Sequence, residues 1–96
     1  TIAAFAAQGT VGVYCAARGL ALLDQATPMR FFDDDPALQG RFLPPFQEPI
    51  MSRADLLSTP VDYLVIMSRT FGHRIRESLR YKGYRGRILT LDQMCT

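Results

Sequence analysis

Three short stretches of the sequence carry groups suited to holding a nucleotide. The first is Ala6-Ala7-Gln8-Gly9-Thr10-Val11-Gly12. Glycines in a strand-to-helix loop permit a tight turn and let backbone amides approach a pyrophosphate. The helix that follows offers unpaired N–H groups to an anion. Gly9 and Gly12 keep part of the G-x-G-x-x-G pattern, while Ala6 and Gln8 stand at its first two glycine positions. The same glycines would equally serve a turn and close helix–strand packing. The second stretch is Asp33-Asp34-Asp35. Asp33 and Asp34 follow the glycines by about twenty residues, where an acid accepts hydrogen bonds from ribose hydroxyls. A solvated cluster that merely ends a strand is the competing explanation. The third stretch is Ser68-Arg69-Thr70. Ser68 can donate to a phosphate or sugar, and Arg69 can grip an anion with two parallel N–H groups. His73 follows early in a helix; a lone histidine among arginines reads as a surface residue. No spacing suggests a nucleophile with its base, so no catalytic residue is singled out.

The elements that would position these groups follow from apolar patterning. Ile2 to Ala6 is a short apolar run ending near glycine, as a buried strand should. Val13, Ala17, Leu20 and Ala21 recur at helical spacing, and Asp24, Thr27 and Pro28 end that helix. Met29 to Phe32 reads as a second strand, stopped by the acids and Pro36. Residues 36–49 hold four of the six prolines and should be loop, pinned by Phe42, Leu43 and Phe46. Pro49 to Met51 predicts a brief strand. Ser52 is an N-cap for a helix through Leu57, and Ser52-x-x-Asp55 approximates a capping box. Val61 to Met67 is almost continuously apolar, as a central parallel strand buried on both faces would be. Thr70 is the expected N-cap of a helix reaching Lys82, with Phe71, Ile75 and Leu79 on one face and Gly83 ending it. Arg87 to Leu91 is the last strand. Strands alternating with helices predict one small α/β, Rossmann-like, three-layer domain with about five mostly parallel strands and helices on both faces. Ligands of such sheets bind outside the carboxyl ends of the strands.

Composition narrows the partners. The chain has 96 residues, 48% of them hydrophobic, and a formal net charge of +2. That is room for one domain with its own core. Charge is unevenly spread: seven basic residues lie between Arg69 and Arg87 against one acid, Glu77. Such a third suits an anionic partner or a solvated helix face. Tyr81 and Tyr84 among these arginines would suit RNA, but no RNA-binding signature accompanies them. Cys15 and Cys95 form no metal or disulfide pattern, and a reduced, cytoplasmic setting is the simplest expectation. No run of about 18 apolar residues is present, so no membrane partner is expected. The chain begins without Met, which suggests a fragment or a processed product, and self-association is a further option.

At Phe31-Phe32-Asp33-Asp34-Asp35-Pro36-Ala37-Leu38-Gln39-Gly40-Arg41, followed by Pro49-Ile50, the sequence resembles the C-terminal Rossmann-like domain of sugar C-methyltransferases. Val61-Asp62-Tyr63-Leu64-Val65-Ile66 and the helix from Phe71 to Leu79 are similar too, so nearly the whole chain is covered. Related segments occur in nucleotide-sugar-binding domains of other methyltransferases and sugar-modifying enzymes. The resemblance implies an accessory module that binds a nucleotide, a nucleotide-sugar or NAD(P), while a separate domain performs methyl transfer. A structural or interaction domain with a vestigial pocket is the alternative.

Overall fold

Val11, Gly12, Val13 and Tyr14 are all buried and form the central strand, β1 (Val11–Tyr14). A computed structural model describes residues 7–15, 29–44, 46–68 and 70–90. The other strands are β2 (Arg30–Phe32), β3 (Ile50–Met51), β4 (Tyr63–Ile66) and β5 (Arg87–Thr90). They make one sheet in the order β3-β2-β1-β4-β5, with every strand pairing parallel. Two helices are described, α1 (Arg53–Ser58) and α2 (Gly72–Tyr81). The parallel α/β, Rossmann-like architecture is therefore as expected from the alternation of elements.

Register sorts the side chains. Val13 lies level with Phe31 and with Val65, and Phe31 with Ile50. This row joins Val11, Met29 and Met67 in one core layer, covered in part by Leu38, Leu43 and Phe46. Phe46 meets Phe31 edge to face at 5.1 Å, a favoured aromatic geometry. One residue along each strand, Tyr14 lies level with Phe32 and Ile66. This second row packs with Leu56 of α1 and Ile75 and Leu79 of α2. Both described helices thus cover the same face. That follows from the winding: the chain steps outward from β1 to β3, then crosses back to β4 and β5. With right-handed crossovers, reversing the direction moves the connections to the other face.

The start of the sheet differs from expectation. The first strand is Val11–Tyr14, while Ile2 to Ala6 lie outside the described residues. Val13, expected in a helix, is a strand residue; the remainder of that helix, from residue 16, also lies outside them. An i, i+4 match between Val13 and Ala17 imitated helical periodicity, and Gly12 disguised the strand as a loop. Gly12 is required by packing. A Cβ there would stand 2.8 Å from Phe32 Cε2 and 2.9 Å from Val61 Cγ2.

Smaller differences concern exposure and capping. Phe42 is 58% exposed, so Leu43 and Phe46 alone of the expected three hold the loop to the core. Phe71, not Thr70, is the N-cap of α2, without a side-chain cap hydrogen bond, and it is 46% exposed. The capping box of α1 is complete: Ser52 Oγ accepts from Asp55 N, and the Asp55 carboxylate accepts from Ser52 N.

At the far end of β4 and β5, the Tyr84 hydroxyl donates to Val61 O at 2.7 Å within the core. Burial pushes this phenol up to about 12, with Arg80 opposing the rise and Asp62 adding to it. A Cβ at Gly86 would collide with that hydroxyl and reach 2.7 Å from Val61 O.

Two outcomes follow for stability. Gly12→Ala should lower unfolding free energy by about 1–3 kcal/mol in urea titrations, because Phe32 and Val61 cannot both stay in place. Folded Tyr84 holds its proton to higher pH than the unfolded chain does. Its contribution is therefore complete below the ordinary tyrosine value of about 10 and is lost as pH rises toward about 12. Tyr84→Phe should be less stable at neutral pH and show a shallower alkaline decline, measured by denaturation at stepped pH.

Candidate functional site

The strand order reverses between β1 and β4, and this is where an open parallel sheet leaves a crevice at its carboxyl edge. Four strand ends supply that edge: Tyr14-Cys15 after β1, Asp33-Asp34-Asp35 after β2, Ser52-Arg53 after β3 and Met67-Ser68 after β4. Cys15 adopts φ 60°, the left-handed region that favours glycine, and its N–H donates to Phe32 O at 2.9 Å. A left-handed turn therefore stands at the end of β1, on a cysteine.

The acidic stretch is a built turn. Asp33 Oδ1 accepts from Asp35 N at 3.0 Å, and Asp35 Oδ1 accepts from Ala37 N at 2.9 Å. Gln39 Nε2 donates to Asp33 O at 2.9 Å, and Arg41 Nε donates to Ala37 O at 2.8 Å. Gly40, at φ 83°, brings the chain back so that its N–H reaches Ile50 O at 2.7 Å. Aspartates here cap successive amides, as short acidic side chains do in turns. Asp33 remains half-buried beside the end of β2, and Asp34 and Asp35 are exposed.

Asp34 is committed elsewhere. Its carboxylate pairs with Arg53 Nη2 at 2.8 Å and accepts from Arg53 Nε at 3.1 Å. The Tyr14 hydroxyl donates to the same carboxylate. Arg53 Nε also donates to the Tyr14 oxygen at 3.1 Å, and Nη1 donates to Ser78 Oγ on α2. Burial first, then the bond to Asp34, pushes the Tyr14 hydroxyl well above the ordinary tyrosine range, so it stays a donor. One guanidinium thus ties the ends of β1 and β2 to both helices. Tyr14, Arg53 and Ser78 were missed in the sequence because their partners lie 19 to 39 residues apart. The only local signal was a basic residue just after an N-cap.

The remaining candidates divide between the two edges. Ser68 is buried at the end of β4, and its Oγ accepts from Phe71 N at 3.1 Å, closing the turn into α2. Arg69 lies outside the described residues. Gly9 and Gly12 do not join this site. Gly9 precedes β1, at the amino edge, and Gly12 is inside it. A Cβ on Gly9 would come to 2.5 Å from Asp62 Oδ2, whose carboxylate accepts from Thr10 N at 2.9 Å. Both glycines make room for packing, so the loop expected to cradle a pyrophosphate is in fact the entry to the strand. His73 is exposed on the first turn of α2. Among the described residues, no cluster of three or more His, Cys, Asp or Glu could hold a metal ion, and no helix is long and apolar enough to cross a membrane.

Comparison with known proteins adds no relative: no family model matches the chain, and neither curated proteins nor solved structures give a match.

The Arg53 hub should be measurable as a coupling. Asp34→Asn and Arg53→Met should each destabilise the domain. The double variant should lose less than their sum, by about 1 kcal/mol in a denaturation cycle, since the pair is half open to solvent.

Proposed function

We propose that this chain is the nucleotide- or nucleotide-sugar-binding Rossmann-like module of a methyltransferase or other sugar- or natural-product-modifying enzyme, with catalysis residing in a neighbouring domain. The strand order carries this reading. The order reverses between β1 and β4, and in sheets of this kind nucleotides bind outside the carboxyl ends at such a reversal. The left-handed backbone of Cys15 at the carboxyl end of β1 supports the same reading. Asp33 is the acid for a ribose or sugar hydroxyl, since the Asp34 carboxylate is occupied by Arg53 and Tyr14. Arg69 is kept as an anion-binding candidate from the sequence alone. The engagement of Asp34 favours a second reading, an interaction domain whose crevice is vestigial.

Thermal melting against a panel of nucleotide-sugars, NAD and NADP separates the two. A ligand at about 100 times its Kd adds about 2.7 kcal/mol, which for a domain of this size raises Tm by on the order of ten degrees. Asp33→Ala should abolish that rise, whereas Asp34→Asn should lower the unliganded Tm. A wild-type chain that shows no rise with any member of the panel overturns the nucleotide reading.

A further inference from the structure

The three acids after β2 are not equivalent, and Arg53 decides which of them can meet a ligand. Asp34 gives both carboxylate oxygens to Arg53, Oδ1 to Nε and Oδ2 to Nη2, and Oδ1 also accepts from the Tyr14 hydroxyl. Asp35 Oδ1 accepts from Ala37 N, and the residue is exposed on the turn. Asp33 is half-buried directly after β2. Its Oδ1 accepts from Asp35 N, while among the described residues no donor reaches Oδ2.

Arg53 is committed on every nitrogen. Nε donates to Asp34 Oδ1 and to the Tyr14 oxygen, Nη1 to Ser78 Oγ and Nη2 to Asp34 Oδ2. Among the described residues it is the one cation that pairs with any of the three acids. Arg41, the other guanidinium of this turn, donates through Nε to Ala37 O. Three carboxylates thus stand with two guanidinium groups, and the one that meets the acids is already held.

We propose that this end of β2 selects nucleotides whose ribose 2′-hydroxyl is free and rejects 2′-phosphorylated ones, with the engagement of Arg53 setting the choice. The inference rests on the nucleotide reading above and narrows it. In parallel sheets an acid at this position reads the 2′-hydroxyl, and an arginine nearby is what admits a 2′-phosphate. A hydroxyl can donate to the open oxygen of Asp33. A phosphate dianion has no proton to donate there, and it would add negative charge where acids already outnumber cations. To reach that phosphate, Arg53 would have to give up Asp34, Tyr14 and Ser78, leaving their polar groups unpaired.

The test is calorimetric titration of the full chain with uridine and adenosine diphosphates, each beside its 2′-deoxy and its 2′-phosphorylated counterpart. One parent diphosphate should bind at least about tenfold tighter than either of its counterparts, roughly 1.4 kcal/mol. Asp33→Ala should bring the parent down to the level of the 2′-deoxy compound. Asp34→Asn leaves the Arg53 charge uncompensated, so it should narrow the gap to the 2′-phosphorylated compound and leave the gap to the 2′-deoxy compound in place. Adding Arg53→Met to Asp34→Asn should widen the first gap again, which a merely structural role would not do. Thermal melts check that each variant folds, and the wild-type comparison stands without them. The inference is overturned by a parent bound no tighter than its 2′-deoxy counterpart, by equal binding of the 2′-phosphorylated compound, or by folded variants with unchanged discrimination. A parent that binds without this preference leaves the nucleotide reading standing, whereas a chain that binds none of the compounds overturns both.

Discussion

The central strand Val11–Tyr14 is the constraint from which the domain follows. It is hydrogen-bonded to β2 on one side and β4 on the other, and its residues are buried on both faces. A strand in that position must present apolar groups up and down without overfilling either layer. Val13 fills one layer, Tyr14 reaches into the other, and Gly12 leaves room for Phe32 and Val61. Because β1 has neighbours on both sides, the chain must reverse its winding beside it, between β1 and β4.

Much of the later fold was legible, for reasons that are local. β4 announces itself as Tyr63-Leu64-Val65-Ile66 because a strand buried on both faces has no polar alternation to hide it. The capping box at Ser52 and Asp55 is a four-residue code that needs no tertiary information. β1 was misplaced because Gly12 has two opposite uses in a chain. A glycine can bend backbone at a loop or remove a side chain inside a layer, and only the neighbours Phe32 and Val61, twenty and forty-nine residues on, decide which. The candidate site divides in the same way. Asp33 and Ser68 could be placed at strand ends because such ends are located by pattern, whereas the Tyr14–Asp34–Arg53–Ser78 network joins residues that only the folded sheet brings together.

Charge in this domain is separated by edge. The acids after β2 are drawn into a turn and an ion pair with Arg53, so the carboxyl edge spends much of its negative charge internally. Lys82 and Arg85 line the amino edge beside Asp62, whose carboxylate accepts from Thr10.

The hydroxyl of Tyr84 occupies the volume that a side chain at position 86 would need, and it satisfies Val61 O in doing so. Positions 84 and 86 are thus mutually exclusive as hosts for bulk. A tyrosine at 84 forbids any side chain at 86, while a side chain at 86 evicts the phenol and strands a buried carbonyl. The two residues behave as a single stereochemical unit spanning the turn into β5, and Val61 O, 2.7 Å from a Cβ at 86, crowds that position whatever stands at 84.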